Sequence, residues 1–525
     1  MITVLYLSLR KETPASGYWD QYIIEQILDC EAIFYENVHD IPEDVTEILV
    51  VIPGAYQAEC IENINGILAR FLKVSVIITS DEENKFPIDD LKHPNMTLYS
   101  MYPHTKSAYD RINWLPIGAP PQIDEAYKIY DTKNLDVFFS GQVNHESRKE
   151  LVQAIQSVAG SWEVYPTEGF AQGLPHDEYY QKMSKAKVAP APRGNISPDS
   201  FRLYEALELG AVPIAENVEF FNNLFGAYPF PVVSNNEQWK GYIEDAISNY
   251  PKLNNRCQAW WLKRKYDYKK QLTANIKNKR WYDTSVIVPV SPVSSNPYTD
   301  IFEKTYESIR HHYSRAPLYI TFDGVRPEQE SMRAAYEEHI RRVLWLIRND
   351  NQAIPLIFDN HLHQVGMMRE VLPLIDTPAI LYIEHDCPLV TDYSIEWDYL
   401  VEMIITGVSN LIRFHFEAQI PTEHKSLMFG TPEKDLQKTM QWSQRPHLAS
   451  TAFYQRILST YFSPDANCFI EDRMYGVVME DCLNYNLQGW QQWRLHIYHP
   501  KGVIKRSYTL DGRAGGHKFD DIQKW

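Results

Sequence analysis

The chain of 525 residues contains only six cysteines. Cys30, Cys60, Cys257, Cys387, Cys468 and Cys482 are scattered, with no C-x-x-C pair, which argues against a disulfide scaffold or a structural zinc and suits a reducing compartment. Long apolar runs are missing too. The opening MITVLYLSLRKETP has about seven apolar residues before Arg10 and no basic segment ahead of them. It is too short for a membrane span and reads as a first β-strand. Basic charge is in deficit: Lys plus Arg number 51 against 68 for Asp plus Glu, a formal charge of −17, which repels a polyanion unless cations cluster on one face.

What is present is globular. Hydrophobic residues make up 44% and aromatics 13% of the chain, with 34 Tyr and 13 Trp, which excludes disorder for most of its length. At roughly 150 residues per domain, the length implies three to four folding units. Apolar, β-rich runs alternate with helical patterns at Ile2 to Leu9, Ile48 to Ile52, Val74 to Thr79, Val137 to Ser140, Val188 to Ala191 and Val212 to Ala215. A second series follows Arg280: Ser285 to Val290, Leu318 to Phe322, Pro355 to Phe358 and Ala379 to Ile383, with a helical stretch from Glu328 to Ile347. This rhythm predicts parallel βα units. The pattern restarts at Lys277 to Asp283, and the Pro-rich WLPIGAPP from Trp114 to Pro121 breaks the first series. The expectation is an α/β protein of three Rossmann-like lobes, 1–120, 121–280 and 281–525. The stretch from Pro421 to Ser463 yields only mixed helix and loop.

The first constellation lies between Ser140 and Ala215. A strand ends in Ser140-Gly141-Gln142, with Arg148 at the start of a helical pattern, and a glycine at that edge lets backbone N–H groups approach an oxyanion. An ordinary βα turn reads the same way. The segment APAPRGNISPDSFRLYEALELGAVPIA places Asp199 or Ser200 as N-cap of a helix from Phe201 to Leu209, with Gly210 as its stop. The helix N-terminus with Arg193 and Arg202 suits a diphosphate, and Glu205 can accept from ribose hydroxyls. Arg202 and Glu205 could equally be a surface i,i+3 pair. The run PRGNISPDSFRLYEALELGAVPIA resembles the signature of the exostosin-like glycosyltransferases. That resemblance implies a GT-B fold of two facing lobes, a nucleotide sugar in the second lobe, and a donor site at Arg193, Ser200, Arg202 and Glu205. It covers about residues 130 to 280. Eukaryotic members carry an N-terminal membrane anchor that this sequence does not show, so a cytoplasmic setting in a bacterial or virus-infected cell is expected.

The second constellation begins at SVIVPVSP, from Ser285 to Pro292, whose strand carries Pro289. The strand Leu318 to Phe322 ends in Asp323-Gly324, placing an acid at its C-terminal edge, and Arg369 lies in HLHQVGMMREVL. The strand Ala379 to Ile383 delivers Glu384 and Asp386, two carboxylates at i and i+2 that can hold a divalent cation bridging phosphates. The acidic pair Glu471-Asp472 follows in NCFIEDRMY. This order resembles the family 2 glycosyltransferases of GT-A fold over about residues 284 to 480, with Glu384-His385-Asp386 in the D-x-D position. The resemblance implies a Mn2+ or Mg2+ ion on Asp386 and Glu384, a base or ribose contact at Asp323, and a phosphate contact at Arg369. It also implies an inverting transfer with Asp472, ahead of Glu471, as catalytic base; the alternative is a pair that caps a helix starting near Arg473. His499 is a candidate third metal ligand, and the basic tail with Arg513, His517 and Lys518 a candidate lid.

Trp260 to Tyr282 interleaves eight Lys/Arg with six Trp/Tyr. Such a segment can stack bases while neutralising phosphates, or it can close the first unit with its aromatics packed inside. The resulting expectation is a tandem glycosyltransferase using nucleotide-sugar donors, UDP-linked by resemblance, on a glycan or other hydroxyl. Two alternatives are modified bases of viral DNA as acceptor, and a GT-B-like half that binds without catalysis because no general base stands out among His39, His104, His145 and His176. A further reading makes the second half a nucleotidyltransferase.

Overall fold

The computed structural model describes residues 1–7, 21–28, 32–102, 112–123, 133–169, 172–274, 283–502 and 504–510. Arg10, Cys30, His104, the end of the basic stretch from Lys277 to Tyr282, and the tail with Arg513, His517 and Lys518 lie outside them. The chain divides into two compact units, Met1–Lys279 and Arg280–Trp525.

The first unit holds two sheets. Strands β1 (Ile2–Tyr6), β2 (Ala32–Tyr35), β3 (Glu47–Pro53), β4 (Lys73–Thr79), β5 (Met96–Ser100) and β6 (Ile112–Trp114) form a sheet in the order β2-β1-β3-β4-β5-β6. Every pairing in it is parallel. Its strands are apolar on both faces. Val4, Leu49, Val51 and Ile77 enter one buried cluster, while Leu5, Ile48, Val50, Ile52 and Val76 enter another, the two-faced burial that an all-parallel sheet requires. The second sheet orders β7 (Leu135–Gln142), β8 (Trp162–Thr167), β9 (Ala186–Pro190), β10 (Val212–Glu216) and β11 (Val232–Val233) as β11-β10-β9-β7-β8, again all parallel. The cluster around Val4 continues through Ile117 and Ala119 of the Pro-rich crossing to Val137, Val188 and Val212, so the two sheets share one core.

The helix Phe201–Glu208 stops as the sequence predicts: Gly210 takes φ +69° and the Ala211 N–H donates to the Ala206 carbonyl. The basic, aromatic stretch is the 22-residue helix Lys252–Thr273. Trp261, Tyr266 and Tyr268 are buried, as are Lys265 and Lys269. Burial leaves these aromatic residues no open face on which a base could stack. Glu208 Oε1 accepts from both Lys265 Nζ and Trp261 Nε1, each at 2.8 Å.

The second unit is one nine-stranded sheet built from β12 (Thr284–Val290), β13 (Leu318–Phe322), β14 (Ala353–Ile357), β15 (Ala379–Tyr382), β16 (Leu411–Phe414), β17 (Met428–Glu433), β18 (Leu436–Thr439), β19 (His447–Ser450) and β20 (Leu495–Tyr498). The order is β14-β13-β12-β15-β19-β16-β20-β18-β17, with the first four strands parallel. β19 runs antiparallel between β15 and β16. Parallel register brings the C-terminal ends of β12, β13 and β15 to one edge, where an open α/β sheet binds ligands.

Two expectations change. The helix expected from Glu328 to Ile347 is a 3-10 segment, Pro327–Met332, opened by its proline, and then an α-helix, Arg333–Leu346. The stretch from Pro421 to Ser463 contains β17, β18, β19 and the helix Thr451–Tyr461. Its hairpin turns on Lys434 and Asp435, both at positive φ, without a glycine.

Removing the shared acceptor by Glu208→Ala leaves a buried ammonium and an indole N–H without it. The expected loss is about 3–5 kcal/mol of stability, read as a lower urea midpoint with unchanged far-ultraviolet circular dichroism. A loss below about 1 kcal/mol would mean that solvent already screens the pair.

Candidate active site

In the second unit a cavity of about 710 Å³ opens at the shared edge of β12, β13 and β15. Pro289, Asp323, Glu384, Asp386, Glu471 and Asp472 all line it, together with Arg326, His361, His363, Gln364 and Arg445. Sequence reasoning thus reached both acidic pairs but not the two cations or the amide network.

Asp323 is buried, and its carboxylate is engaged by the chain itself. Oδ1 accepts from the N–H groups of Gly324 (2.9 Å) and Leu362 (2.7 Å), and Oδ2 accepts from His363 (3.1 Å). His361 Nδ1 lies 2.8 Å from Oδ2, and Arg326 Nε donates to the other His361 ring nitrogen at 3.0 Å. Asp323 therefore shapes the loop after β14, and the base or ribose contact expected of it competes with these three N–H donors and the adjacent His361 ring. Gly324 is required by approach: a Cβ there would sit 2.2 Å from the carbonyl carbon of Asn360. Burial, then the charges of Arg326 and His361, push the His363 imidazolium below its ordinary value.

The same loop carries the acid-bearing helix. Asn467 Nδ2 donates to the His361 carbonyl, Val365 N–H to the Cys468 carbonyl, and Ile470 N–H to Gln364 Oε1 at 2.6 Å. The Gln364 side chain also pairs with the Gln444 amide and donates to the Tyr382 hydroxyl. The helix Ile470–Tyr485 thus begins at the cavity, with Glu471 and Asp472 in its first turn, where the helix dipole favours them. Their surroundings differ. Glu471 Oε2 accepts from Gln444 N–H at 3.0 Å, whereas Asp472 is exposed on the cavity wall.

Glu384, Asp386 and Cys387 offer ligand atoms all within 4.8 Å of one another. Two carboxylates on a tight turn, with Cys387 N–H donating to the Glu384 carbonyl at 3.0 Å, fit a hard divalent cation. Burial, then Asp386 and Glu384, hold the Cys387 thiol well above its ordinary value, so it is a poor anionic ligand.

Two expected residues sit elsewhere. Arg369 does not line the cavity; its guanidinium donates to the carbonyls of Pro464, Leu458 and Phe462, closing the end of the helix Thr451–Tyr461. Arg326 and Arg445 are the cations that face the cavity. His499 follows β20, its N–H donating to the Asp435 carbonyl beside the β17–β18 hairpin, and it is not grouped with Glu384 and Asp386.

The first unit has its own cavity, about 320 Å³, lined by Gly141, Arg148, Ser200, Arg202, Glu205, His176, Tyr179, Tyr180 and Asp199. Arg202 Nε donates to the Ser140 carbonyl at 2.9 Å, and a Cβ on Gly141 would lie 2.0 Å from Arg202 Nη2. Arg148 is buried and donates to the carbonyls of Gln142 and Arg193; burial, then Arg202, lowers its pKa to about 10. Glu205 accepts from Tyr179 (2.7 Å) and Tyr180 (3.3 Å), and burial raises its pKa against the pull of those bonds and of Arg202. It is no surface pair. Ser200 is the N-cap without a side-chain cap bond, and Arg193 is exposed and outside the cavity wall. Of the histidines left unplaced by sequence, His176 reaches this cavity, whereas His145 is bonded to Asn195 and His39 lies in the 3-10 turn Val38–Asp40.

No protein-family model and no curated protein matches the chain. Among solved structures, S. aureus TarS 1-349 is similar at 14% identity and TM-score 0.28, covering 43% of this chain and 60% of that one. GalNAc-T7 with UDP, GalNAc and Mn2+ is similar at 9% identity and TM-score 0.29, covering 46% of each chain. A cytidylyltransferase from Leptospira borgpetersenii serovar Hardjo-bovis is similar at 10% identity and TM-score 0.26, covering 42% and 78%. This chain therefore spans less than two thirds of the TarS and GalNAc-T7 structures. No helix among the described residues is long and apolar enough to cross a membrane.

Asp199 supplies a pH test. It is buried, accepts from Tyr204 Oη at 2.9 Å and from Ser200 N–H at 2.9 Å, and burial raises its carboxyl from 3.8 to about 7. Between those values the unfolded chain has released the proton that the fold retains, so stability declines as pH rises through the window and levels off above it. Asp199→Asn should remove that decline, so that unfolding free energies of the two proteins diverge in the variant's favour towards neutral pH. Parallel pH curves would overturn the assignment.

Proposed function

We propose that the second unit transfers a sugar from a nucleotide-sugar donor to an acceptor hydroxyl, with inversion at the anomeric carbon. One observation carries this reading: two acidic pairs, Glu384 with Asp386 and Glu471 with Asp472, line a single cavity at the C-terminal edge of a parallel sheet. Glu384 and Asp386 would hold Mn2+ or Mg2+, which when bound neutralises charge on the diphosphate leaving group. Arg326 and Arg445 face the same cavity and add fixed positive charge for phosphate oxygens.

Asp472 is the base. It is the exposed member of its pair, so its carboxylate can reach an acceptor hydroxyl, while Glu471 is fastened to the Gln444 backbone. As Asp472 takes the hydroxyl proton, the acceptor oxygen forms its bond to the anomeric carbon. The bond to the phosphate oxygen breaks, and its electron pair leaves with the nucleoside diphosphate. Asp323, through the loop it holds, positions the wall formed by His361 and His363.

The first unit is read as an exostosin-like, GT-B-type module with the donor diphosphate against Arg202 and the N-terminus of Phe201–Glu208. A non-catalytic binding role for it is favoured by Glu205, whose carboxylate is capped by two tyrosines. A glycan hydroxyl is the preferred acceptor, because the helix that would have stacked nucleic-acid bases buries three of its aromatics.

Nucleoside diphosphate release should be measured for the full chain over a panel of nucleotide sugars, with and without metal. Asp386→Ala should abolish metal-dependent release, Asp472→Asn should lower kcat by roughly 10²–10⁴-fold, and Arg202→Ala should leave both intact. Equal losses from Asp386→Ala and Arg202→Ala would point to one composite site. Pyrophosphate as product would replace this reading with nucleotidyl transfer.

A further inference from the structure

Past the end of β16, a short turn carries His415 and Glu417, and the 3-10 segment Thr422–Leu427 brings His424 back towards them. One nitrogen of each histidine and one oxygen of Glu417 all lie within 4.8 Å of one another. None of the three lines either cavity described above.

Two of these atoms are costly as they stand. Glu417 Oε2 and His424 Nδ1 are buried and have no hydrogen-bond partner among the described residues. A buried acceptor left without a donor loses its hydration without recompense, so such groups call for a bound species. Their arrangement favours a metal over a lone water. His415 Nδ1 accepts from the Glu417 N–H at 3.2 Å, a bond that coordination through this nitrogen would replace, and lies 3.6 Å from Glu417 Oε2; two ligands about 2.0–2.1 Å from a tetrahedral zinc stand roughly 3.3 Å apart. The remaining closure needs side-chain rotation on the order of an ångström.

The charge balance selects the kind of ion. Arg413 and Arg506 are buried close by, each interacting with Glu417, and their field opposes a cation held by charge alone. Mg2+ and Ca2+, which depend on anionic oxygens, are disfavoured. A borderline transition ion gains from two imidazoles what one carboxylate cannot supply.

We propose that His415, Glu417 and His424 form a zinc-type metal site separate from Glu384 and Asp386. Its role is positional. The His415 carbonyl accepts from the N–H groups of Arg506 and Ser507, and Arg506 Nη2 donates to the Glu417 carbonyl at 2.8 Å, so an ion fastens the turn to the segment after β20. Between the two ligands in sequence, Phe416 lies 4.0 Å beneath the Arg445 guanidinium, which places the ion behind a cation of the 710 Å³ cavity.

The test uses the untagged full chain, equilibrated with Zn2+ in a large excess of Mg2+ and then dialysed against Mg2+ buffer. Metal content by mass spectrometry should show one zinc per chain in the wild type and in Asp386→Asn, and none in His424→Gln or Glu417→Gln. Circular dichroism of the metal-free proteins should be unchanged, so that loss of zinc is not loss of fold. Co2+ in place of zinc should give the intense visible bands of a four-coordinate ion in the wild type, absent in His424→Gln. Failure of the wild type to retain zinc, retention by His424→Gln, or loss only in Asp386→Asn would each overturn the site.

Discussion

The second unit depends on one buried carboxylate. Asp323 gathers three backbone N–H groups and the edge of an imidazole at the end of β13, and so folds the loop 360–363 back over Gly324. From that loop a run of hydrogen bonds reaches Cys468, Ile470 and, through Gln444, Glu471. An anion satisfied by backbone donors is cheap to bury and stiff once buried. The acids on the 470 helix and those after β15 therefore line one cavity, and the wall carrying the first pair is tied to Asp323.

The two cavities that hold the candidate residues differ in their electrostatic character. The one in the first unit combines the buried Arg148 and the half-buried Arg202 with tyrosines that donate to Glu205, so the space near Arg202 is biased towards an anion. The one in the second unit opposes five carboxylates with Arg326 and Arg445, a composition suited to a cation and an anion together.

Parallel strands such as β3, β4 and β13 were legible because each is a short apolar run buried on both faces, and β13 falls on Leu318–Phe322 as read from sequence, whereas the partly exposed parallel strands β2 and β8 were not. β17 was not, since MFGTPE is largely exposed and its turn uses Lys434 and Asp435 in place of glycine. Glu384 and Asp386 could be found from a strand end and acid spacing, and Glu471 and Asp472 only through the family resemblance. Arg369 could not be judged that way: an arginine near a site in sequence gives no sign whether it faces phosphate or the carbonyl end of a helix. Arg445 and Gln444 come from a segment without periodicity, and only the antiparallel insertion of β19 beside β15 carries them to the cavity. For Trp261 and Tyr268 the sequence left two readings open, because interleaved aromatics and lysines read alike on a core helix and on a stacking surface; their burial selects the packed one.

Gly141 and Arg202 have a consequence for how the first cavity can be altered. The guanidinium occupies the volume that any side chain at 141 would need. The two positions therefore share a single space, so a side chain at 141 obliges the flexible Arg202 guanidinium to move aside. A lineage that exchanged Arg202 for a small residue would lose the cation and the crowding at 141 in one step, yet the φ of +157° there would still hold the position to glycine, so the pocket can change its charge while its backbone stays fixed.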